Sequence, residues 1–445
     1  MPAHSHSHGP DEDDVPAAPA VVARRRQAVR LMLMLLVPIG VATLVGLVLL
    51  WPGSGPSPAQ RAADSFFPPG TTYPTATVLD LTTFDCSTSV GEEPLLCATA
   101  LVQISTGVSA GDDVNVELTA DIVSSGIEPG DGLVLSRDPG TTTGQVSYAF
   151  QDYERNAPII LLTVVFALVV GLVARWRGLK SLIGLVFAFL VLGVFVLPAL
   201  LAGESPILVS LVGSSAIMFV ALYLAHGFSA RTTTALLGTL FGLALVAVLG
   251  ALAVATARLT GLTSEETVQL QTYDPTLSFS GLVLAGIVVA GLGVLNDVTI
   301  TQAASVWQLH EVSPELSSRQ LFARGMQIGR DHIASTVYTI AFAYAGTTLP
   351  LLLLFEIYQR PFWTTLTSSQ VAEPLLSALV GSIALVLATP VTTAVGAFFA
   401  KAADGSAPAP PRPPSPDAPR PARRSAVGDA YRDPTRTPTT RRSDL

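Results

Sequence analysis

Charged side chains are scarce in this 445-residue chain: Asp, Glu, Lys and Arg make up 13% of it, about half the share of an ordinary soluble domain. Lysine occurs only twice and cysteine only twice, whereas apolar residues make up 49%. The mean hydropathy is +0.52. This balance excludes an ordinary globular protein. Together with long apolar runs, it predicts a polytopic α-helical membrane protein whose main surroundings are the lipid bilayer.

Motifs for catalysis and nucleotide binding are also missing. The sequence contains no P-loop, zinc motif, nucleophile elbow or dinucleotide fingerprint, so we expect neither an enzyme nor a cofactor. No folded basic face is visible, which argues against a nucleic-acid partner. His4, His6 and His8 are only weak candidates for a metal site, because an unstructured histidine tract is more often incidental than a ligand set.

Eight apolar segments of helical length divide the chain. The first covers residues 31–51 and is long enough to cross a bilayer. The polar residues 1–30 before it and the Pro- and Arg-rich tail, residues 402–445, are predicted to be disordered. Residues 157–401 are predicted to form a seven-helix membrane domain. Its apolar segments are 158–174, 181–201, 206–225, 235–257, 281–304, 333–354 and 374–400.

The basic residues predict the orientation of these segments. If the N-terminus is inside and the segments alternate, twelve basic residues fall in the short inner segments and only Arg258 and Arg360 in the short outer loops. The positive-inside rule then predicts a multi-pass protein of the plasma membrane with both termini in the cytoplasm. The inner basic residues are Arg24, Arg25, Arg26, Arg30, Arg175, Arg177, Lys180, Arg231, Arg319, Arg324, Arg330 and Lys401.

Residues 52–156 differ in character from the rest of the chain. They hold 14 acidic residues against three arginines, and a Pro/Gly/Ser-rich linker is followed by short β-branched runs separated by turns. This pattern predicts a small extracytoplasmic all-β domain between helices 1 and 2, either an OB-like barrel or a sandwich. The strands are expected near residues 76–82, 97–104, 114–119, 132–136 and 145–150.

Both cysteines of the chain, Cys86 and Cys97, lie in this acidic segment. Such a pair can be a disulfide, a metal-binding pair or two free thiols. If the segment lies outside the membrane, a disulfide that closes the short loop between them is the best interpretation.

One carboxylate interrupts the apolar segments. Asp297 is the only acidic residue in the interior of any of them, and it lies ten residues, about 15 Å of helix, before Trp307. Asn296 precedes it and Thr301 follows one turn later. Because an ionised carboxylate at this depth needs water or a partner, we expect Asp297 to face the interior of the helix bundle.

The next segment along the chain supplies possible partners for Asp297. It begins with His332 and continues with Ser335, Thr336 and Thr339, so one of its faces is rich in hydroxyls. Two polar faces on consecutive helices can form a buried relay for protons or a small cation. Alternatively, Asp297 lies at the membrane interface, and the hydroxyls only hold neighbouring helices together.

Three motifs give the chain a family resemblance. YAFQDYERNAPI, LGVLNDVTITQA and GRDHIASTVYTIAFAYAGTTLPLLLLF make residues 145–400 similar to the YibE/F family of bacterial membrane proteins, and the acidic β segment resembles the extracytoplasmic part of that family. The resemblance implies a topology but no reaction. The stretch that runs from LGVLNDVTITQA to IASTVYTIAFAYAG is also similar in layout to the cores of SecD/SecF and RND-type permeases, which implies a role in proton binding for Asp297 alone.

These observations predict a permease or translocation component, with proton coupling through Asp297, that acts on an unknown small solute, ion or protein. The alternative is an envelope scaffold that transports nothing and binds a partner through its β-domain. Asp297 distinguishes the two, because a transporter needs this residue in a solvated cavity whereas a scaffold tolerates Asn at the same position.

Overall fold

The computed structural model describes residues 19–53, 55–63, 70–87, 95–140 and 144–404. His4, His6 and His8, and the tail from residue 405 onward, lie outside these ranges, so the predictions made for them remain predictions. The described chain contains a long N-terminal helix, a five-stranded sheet and a group of long apolar helices, in that order.

The β-domain is a single antiparallel sheet. Its strands are β1 (Thr75–Asp85), β2 (Leu96–Ile104), β3 (Asp113–Leu118), β4 (Gly132–Asp138) and β5 (Ser147–Tyr153). Their order in the sheet is β3-β2-β1-β4-β5, and the sheet curls until the two edge strands, β3 and β5, have Cα atoms within 8 Å of each other. The sheet is therefore barrel-like, and its five strands lie within a few residues of the predicted ones.

Alternation of side chains builds the core of this β-domain. Along β2, Ala98, Ala100, Val102 and Ile104 are buried, because every second residue of a strand points to the same face. Short α3 (Ala120–Ser124) joins β3 to β4. The buried residues of this core are Ala76, Val78, Ala98, Ala100, Val102, Val116, Leu118, Ile127, Leu133 and Leu135.

The two cysteines are joined across the hairpin that β1 and β2 form. Cys86 follows the last residue of β1, and Cys97 is the second residue of β2 and pairs with Phe84 of β1. The Cα atoms of the cysteines are 5.7 Å apart and their sulfur atoms are bonded. The predicted disulfide is thus confirmed, and it fixes the end of the hairpin.

Helix α1 (Pro19–Leu49) begins earlier than the sequence predicts. Residues 19–30, which the low hydropathy suggested to be disordered, are the first turns of this helix. Ala, Arg and Gln are strong helix formers, so they extend a helix that the apolar residues after Arg30 have nucleated. The remaining short helices outside the bundle are α2 (Pro58–Ala63), α8 (Glu265–Tyr273) and α11 (Phe362–Leu366).

The next element folds back on itself. Helix α4 (Asn156–Val191) continues through a π-helical turn, Leu192–Val196, into α5 (Leu197–Leu201). Arg175 interrupts α4 with φ 53° and ψ −138°. A Cβ atom on Gly178 would lie 2.5 Å from the carbonyl oxygen of Val170, although eight residues of straight helix span about 12 Å. The chain therefore reverses direction at Arg175, between the two segments that the sequence predicts.

The other long helices are α6 (Pro206–His226), α7 (Ala230–Thr256), α9 (Phe279–Val312), α10 (Ser318–Ile357) and α12 (Ser369–Asp404). Helices α6, α7, α9 and α12 share the main apolar core, whereas α4 and α10 are mostly exposed. In the described part of the chain, seven helices are long and apolar enough to cross a membrane, and the reversing helix α4 is one of them.

Candidate functional site

Helix α9 carries polar residues on two of its faces. The buried face includes Leu295, Thr299 and Gln302, which are inaccessible to solvent or nearly so. The opposite face is exposed. We call it the open stripe; it consists of Gly286, Ala290, Gly293, Asp297 and Thr301, which recur at intervals of three and four residues and so share one side of the helix.

The sequence predicts that Asp297 faces the interior of the bundle, and this prediction is wrong. Asp297 lies in the open stripe and is exposed. Its nearest polar neighbour on the stripe is Thr301, whose hydroxyl donates to the Asp297 carbonyl oxygen at 2.7 Å. Small residues precede it along the same face, and a Cβ atom on Gly293 would meet nothing within 4 Å. Periodicity alone could not orient the helix because α9 is polar on both sides. The bulky residues Leu295 and Val298 decide which side packs.

The predicted hydroxyl partners of Asp297 bond to their own helix. The Thr336 hydroxyl donates to the His332 carbonyl oxygen at 2.9 Å, and the Thr339 hydroxyl donates to the Ser335 carbonyl oxygen at 3.3 Å. Ser335 and Thr339 are exposed, whereas Thr336 is half-buried. In the described part of the chain, no hydrogen bond joins the Asp297 carboxylate to α10.

Two members of the predicted relay bury a polar atom without a partner. The Asn296 Oδ1 and the His332 Nε2 are inaccessible, and neither makes a hydrogen bond to any described residue. Leaving such an atom unpaired costs about 1 to 3 kcal/mol, and a buried polar atom of this kind usually binds an ordered water. These two positions therefore mark places where the packing of the helices favours water.

A buried polar network that the sequence did not reveal joins α7, α9, α10 and α12. Thr239 of α7 and Thr299 of α9 share a hydrogen bond of 2.5 Å between their hydroxyls. The Gln302 side-chain amide donates to the Gly325 carbonyl oxygen at 2.8 Å and to the Thr393 hydroxyl at 2.7 Å. One of the Thr239 and Thr299 hydroxyls donates to the other, and the accepting hydroxyl donates to a carbonyl oxygen of its own helix. The Thr393 hydroxyl accepts from Gln302 and donates to the Thr389 carbonyl oxygen. Because its donors are satisfied, this network holds the helices together and offers nothing for chemistry.

A pocket of about 390 Å³ lies where α9, α10 and α12 meet α8 and the loop before it. We call it the α9–α12 pocket. Gly286 and Ala290 of the open stripe line it, so the pocket lies about 10 Å of helix from Asp297. Its polar lining consists of Tyr344, Glu373 and Ser377 together with Thr267, and the rest is apolar.

Glu373 is the carboxylate of this pocket. It is half-buried near the start of α12 and accepts a hydrogen bond of 3.2 Å from the Thr263 hydroxyl. Beside it, the hydroxyls of Tyr344 and Ser377 share a hydrogen bond of 3.1 Å. The sequence prediction missed Glu373 because the apolar segment was drawn from Pro374, whereas the helix begins five residues earlier, at Ser369. An acidic residue at the edge of an apolar segment is the signal that could have identified it.

The junction between the β-domain and α4 carries the one ion pair among the described residues. The Arg155 guanidinium lies 2.7 Å from the Asp152 carboxylate. This hydrogen bond lowers the pKa of Asp152 below its ordinary value. Both side chains are exposed, so the pair contributes little to stability.

Comparison with known proteins identifies the family of the helical part of the chain. The YibE/F-like protein family matches residues 162–402, which is more than half of the chain. The chain belongs to the YibE/F family. No curated protein and no solved structure matches it.

The family match covers both carboxylates described above. Asp297 and Glu373 lie within the matched region of this YibE/F protein, as do the buried threonines and the reversal at Arg175. The β-domain precedes the match, so the family assignment rests on the helices alone.

Proposed function

We propose that this YibE/F protein is a permease or translocation component of the bacterial plasma membrane and that Asp297 couples its work to proton movement. The observation that supports the proposal best is the position of Asp297 on α9. A carboxylate about 15 Å of helix away from Trp307 lies too deep to reach water easily, so it needs a hydrated path or a polar partner.

The open stripe is suited to such a path. Glycine and alanine before Asp297 leave room beside the helix, and Gly293 has open space where a side chain would start. The same face leads toward the α9–α12 pocket, whose lining includes Gly286 and Ala290. We propose that a solute or a file of water molecules reaches the carboxylate along this side of α9.

The proposed topology has eight membrane crossings with both termini in the cytoplasm. The reversal at Arg175 supports it, because α4 then supplies two antiparallel crossings and the six other long helices supply one each. The basic residues favour the same orientation. In this arrangement the β-domain and its disulfide lie outside, where an oxidising environment maintains such bonds.

The second candidate is a scaffold that binds a protein partner through the β-domain, and two observations favour it. The β-domain is a barrel-like five-stranded sheet with a helix between β3 and β4, as expected for the OB-like domain that we propose, and OB domains commonly bind other molecules. The disulfide-closed hairpin also exposes large apolar side chains, namely Phe84, Leu95 and Leu96. Both observations concern the β-domain, so the scaffold proposal assigns no function to the membrane helices.

Proton movement in proteoliposomes tests the leading proposal. We would reconstitute the full chain with a pH-sensitive dye inside the vesicles and impose a gradient of a bacterial small-molecule extract. The wild type is expected to move protons when the gradient is applied. Asp297→Asn keeps the shape of the side chain and removes its titration, so proton movement should fall to the level of empty vesicles.

Glu311→Gln is the matched control, because Glu311 is an exposed acidic residue near the end of the same helix. This variant should behave like the wild type. If Asp297→Asn moves protons as fast as the wild type, Asp297 is not the coupling residue. If the wild type moves none under any extract, the scaffold becomes the better proposal.

A further inference from the structure

The α9–α12 pocket has an unusual lining for a cavity among apolar helices. One carboxylate, Glu373, stands at its polar end beside the paired hydroxyls of Tyr344 and Ser377. The described lining includes no lysine, arginine or histidine. Apart from Thr267, the remaining lining is apolar and includes Phe279. A cavity of this size, apolar with a few convergent polar groups, is typical of sites for small organic ligands.

We propose that the α9–α12 pocket binds a small organic cation that has an apolar body and an ammonium head. The head would lie against the Glu373 carboxylate and the Tyr344 and Ser377 hydroxyls, and the body would lie along Gly286 and Ala290 of the open stripe. This inference extends the proposed permease function by naming its ligand class. It therefore depends on that function for its physiological meaning but not for its test.

The charge of the pocket selects the sign of the ligand. In the described part of the chain, Glu373 has no ion pair, and its hydrogen-bond donor is the neutral Thr263 hydroxyl. A half-buried carboxylate with a single neutral partner gains a charge-assisted hydrogen bond from an incoming ammonium group. An anion would be repelled there, and a neutral alcohol would gain only an ordinary hydrogen bond.

The aromatic rings strengthen the same preference. Tyr344 and Phe279 line the pocket, and the face of an aromatic ring attracts a cation. The apolar walls favour a ligand with a hydrocarbon body over a hydrated metal ion, because a metal ion would have to lose its water to a site that offers few oxygen ligands.

The test compares three ligands of similar shape. Radiolabelled 2-phenylethylamine would be bound to the full chain in lipid nanodiscs, with empty nanodiscs as the background. Unlabelled 2-phenylethanol, which is neutral, and 3-phenylpropionate, which is anionic, would compete for the site. We expect the alcohol to compete roughly tenfold more weakly than the amine, and the acid not to compete.

Two variants connect the binding to this pocket. Glu373→Gln should weaken the binding of the amine roughly tenfold and leave the binding of the alcohol unchanged, because this substitution removes only the charge of the side chain. The matched control is Glu265→Gln, which changes an exposed glutamate outside the pocket and should bind the amine normally.

The second variant, Gly286→Leu, is designed to fill the pocket. A Cβ atom on Gly286 would meet nothing within 4 Å, so Gly286→Leu should occupy the pocket without disturbing the fold and should abolish binding. Gly346→Leu is its control, because Gly346 is also exposed, helical and uncrowded but lies outside the pocket.

Four results would overturn the inference: no binding of the amine to the wild type, equal binding of the amine and the alcohol, wild-type amine binding by Glu373→Gln, or retained binding by Gly286→Leu. Asp297→Asn should bind the amine normally, because the pocket lining does not include it. If the amine fails to bind while Asp297→Asn still abolishes proton movement, the ligand class is wrong and the permease proposal stands. If the amine binds as expected while Asp297→Asn moves protons as fast as the wild type, the proposed proton coupling is wrong and the proposed amine site stands.

Discussion

The β-domain and the helix bundle bury different chemistry. Every member of the β-domain core is apolar. In the bundle, by contrast, Thr239, Thr299, Gln302 and Thr393 are buried among the helices, while leucines and valines of α4 are exposed on the surface. We attribute this difference to the solvent that we propose for each region, water for the β-domain and lipid for the bundle.

Water drives the apolar side chains of the β-domain into its core. Lipid tails are as apolar as leucine, so they give no such drive between membrane helices. Close packing of small residues and hydrogen bonds between helices must hold the bundle instead. We therefore infer that the buried threonines of α9 and α12 hold neighbouring helices together. The polar residues for which we propose a function are Asp297, which is exposed, and Glu373, which is half-buried at a pocket.

The largest effect is expected in the core of the β-domain. Leu135 of β4 is completely buried, so Leu135→Ala removes apolar contacts and leaves a cavity, which costs about 2 to 5 kcal/mol. Hydrogen exchange of the β4 amides in the full chain measures this loss as faster exchange. Leu79→Ala changes a leucine of β1 that is 43% exposed, and it should cost much less. If both substitutions accelerated hydrogen exchange equally, burial of apolar side chains would not be what stabilises the β-domain.

A smaller effect is expected where two helices approach closely. A Cβ atom on Gly291 would lie 3.0 Å from the Val246 side chain of α7, whereas one on Gly293 would meet nothing within 4 Å. Gly291→Leu should therefore overpack the interface and cost about 1 to 3 kcal/mol. Gly293→Leu, two residues away on the open stripe, should be neutral. Thermal unfolding in detergent separates the two, and a Gly293→Leu variant as unstable as Gly291→Leu would mean that the stripe is a packing surface.

The sequence predicted most of the β-domain because alternation along a strand has only two possible faces, and the apolar residues select one of them. It also predicted the two segments on either side of Arg175, since both are apolar and the basic residues separate them. It did not predict which side of α9 is open. Because α9 carries polar residues on both its packed side and its exposed side, hydropathy carries little information about its orientation. Glu373 was missed because hydropathy marks only the apolar part of a helix. The helical backbone of α12 begins at Ser369, five residues before the apolar segment.

The smallest effect is expected from removing an interhelical hydrogen bond, and it tests the comparison most directly. Gln302→Leu replaces a buried amide with an apolar side chain of similar size, a change that the core of the β-domain would favour. In the bundle it removes the bonds to the Gly325 carbonyl oxygen and the Thr393 hydroxyl. Each such bond contributes about 0.6 kcal/mol on average in a membrane protein, so the loss should be about 1 kcal/mol. The control, Gln308→Leu, changes an exposed glutamine of the same helix and should leave the unfolding temperature unchanged. If Gln302→Leu instead raises that temperature, apolar packing holds the bundle as it holds the β-domain. The buried threonines and Gln302 would then need another reason to be there, and a path for protons through the interior of the bundle would deserve the test that we assign to Asp297.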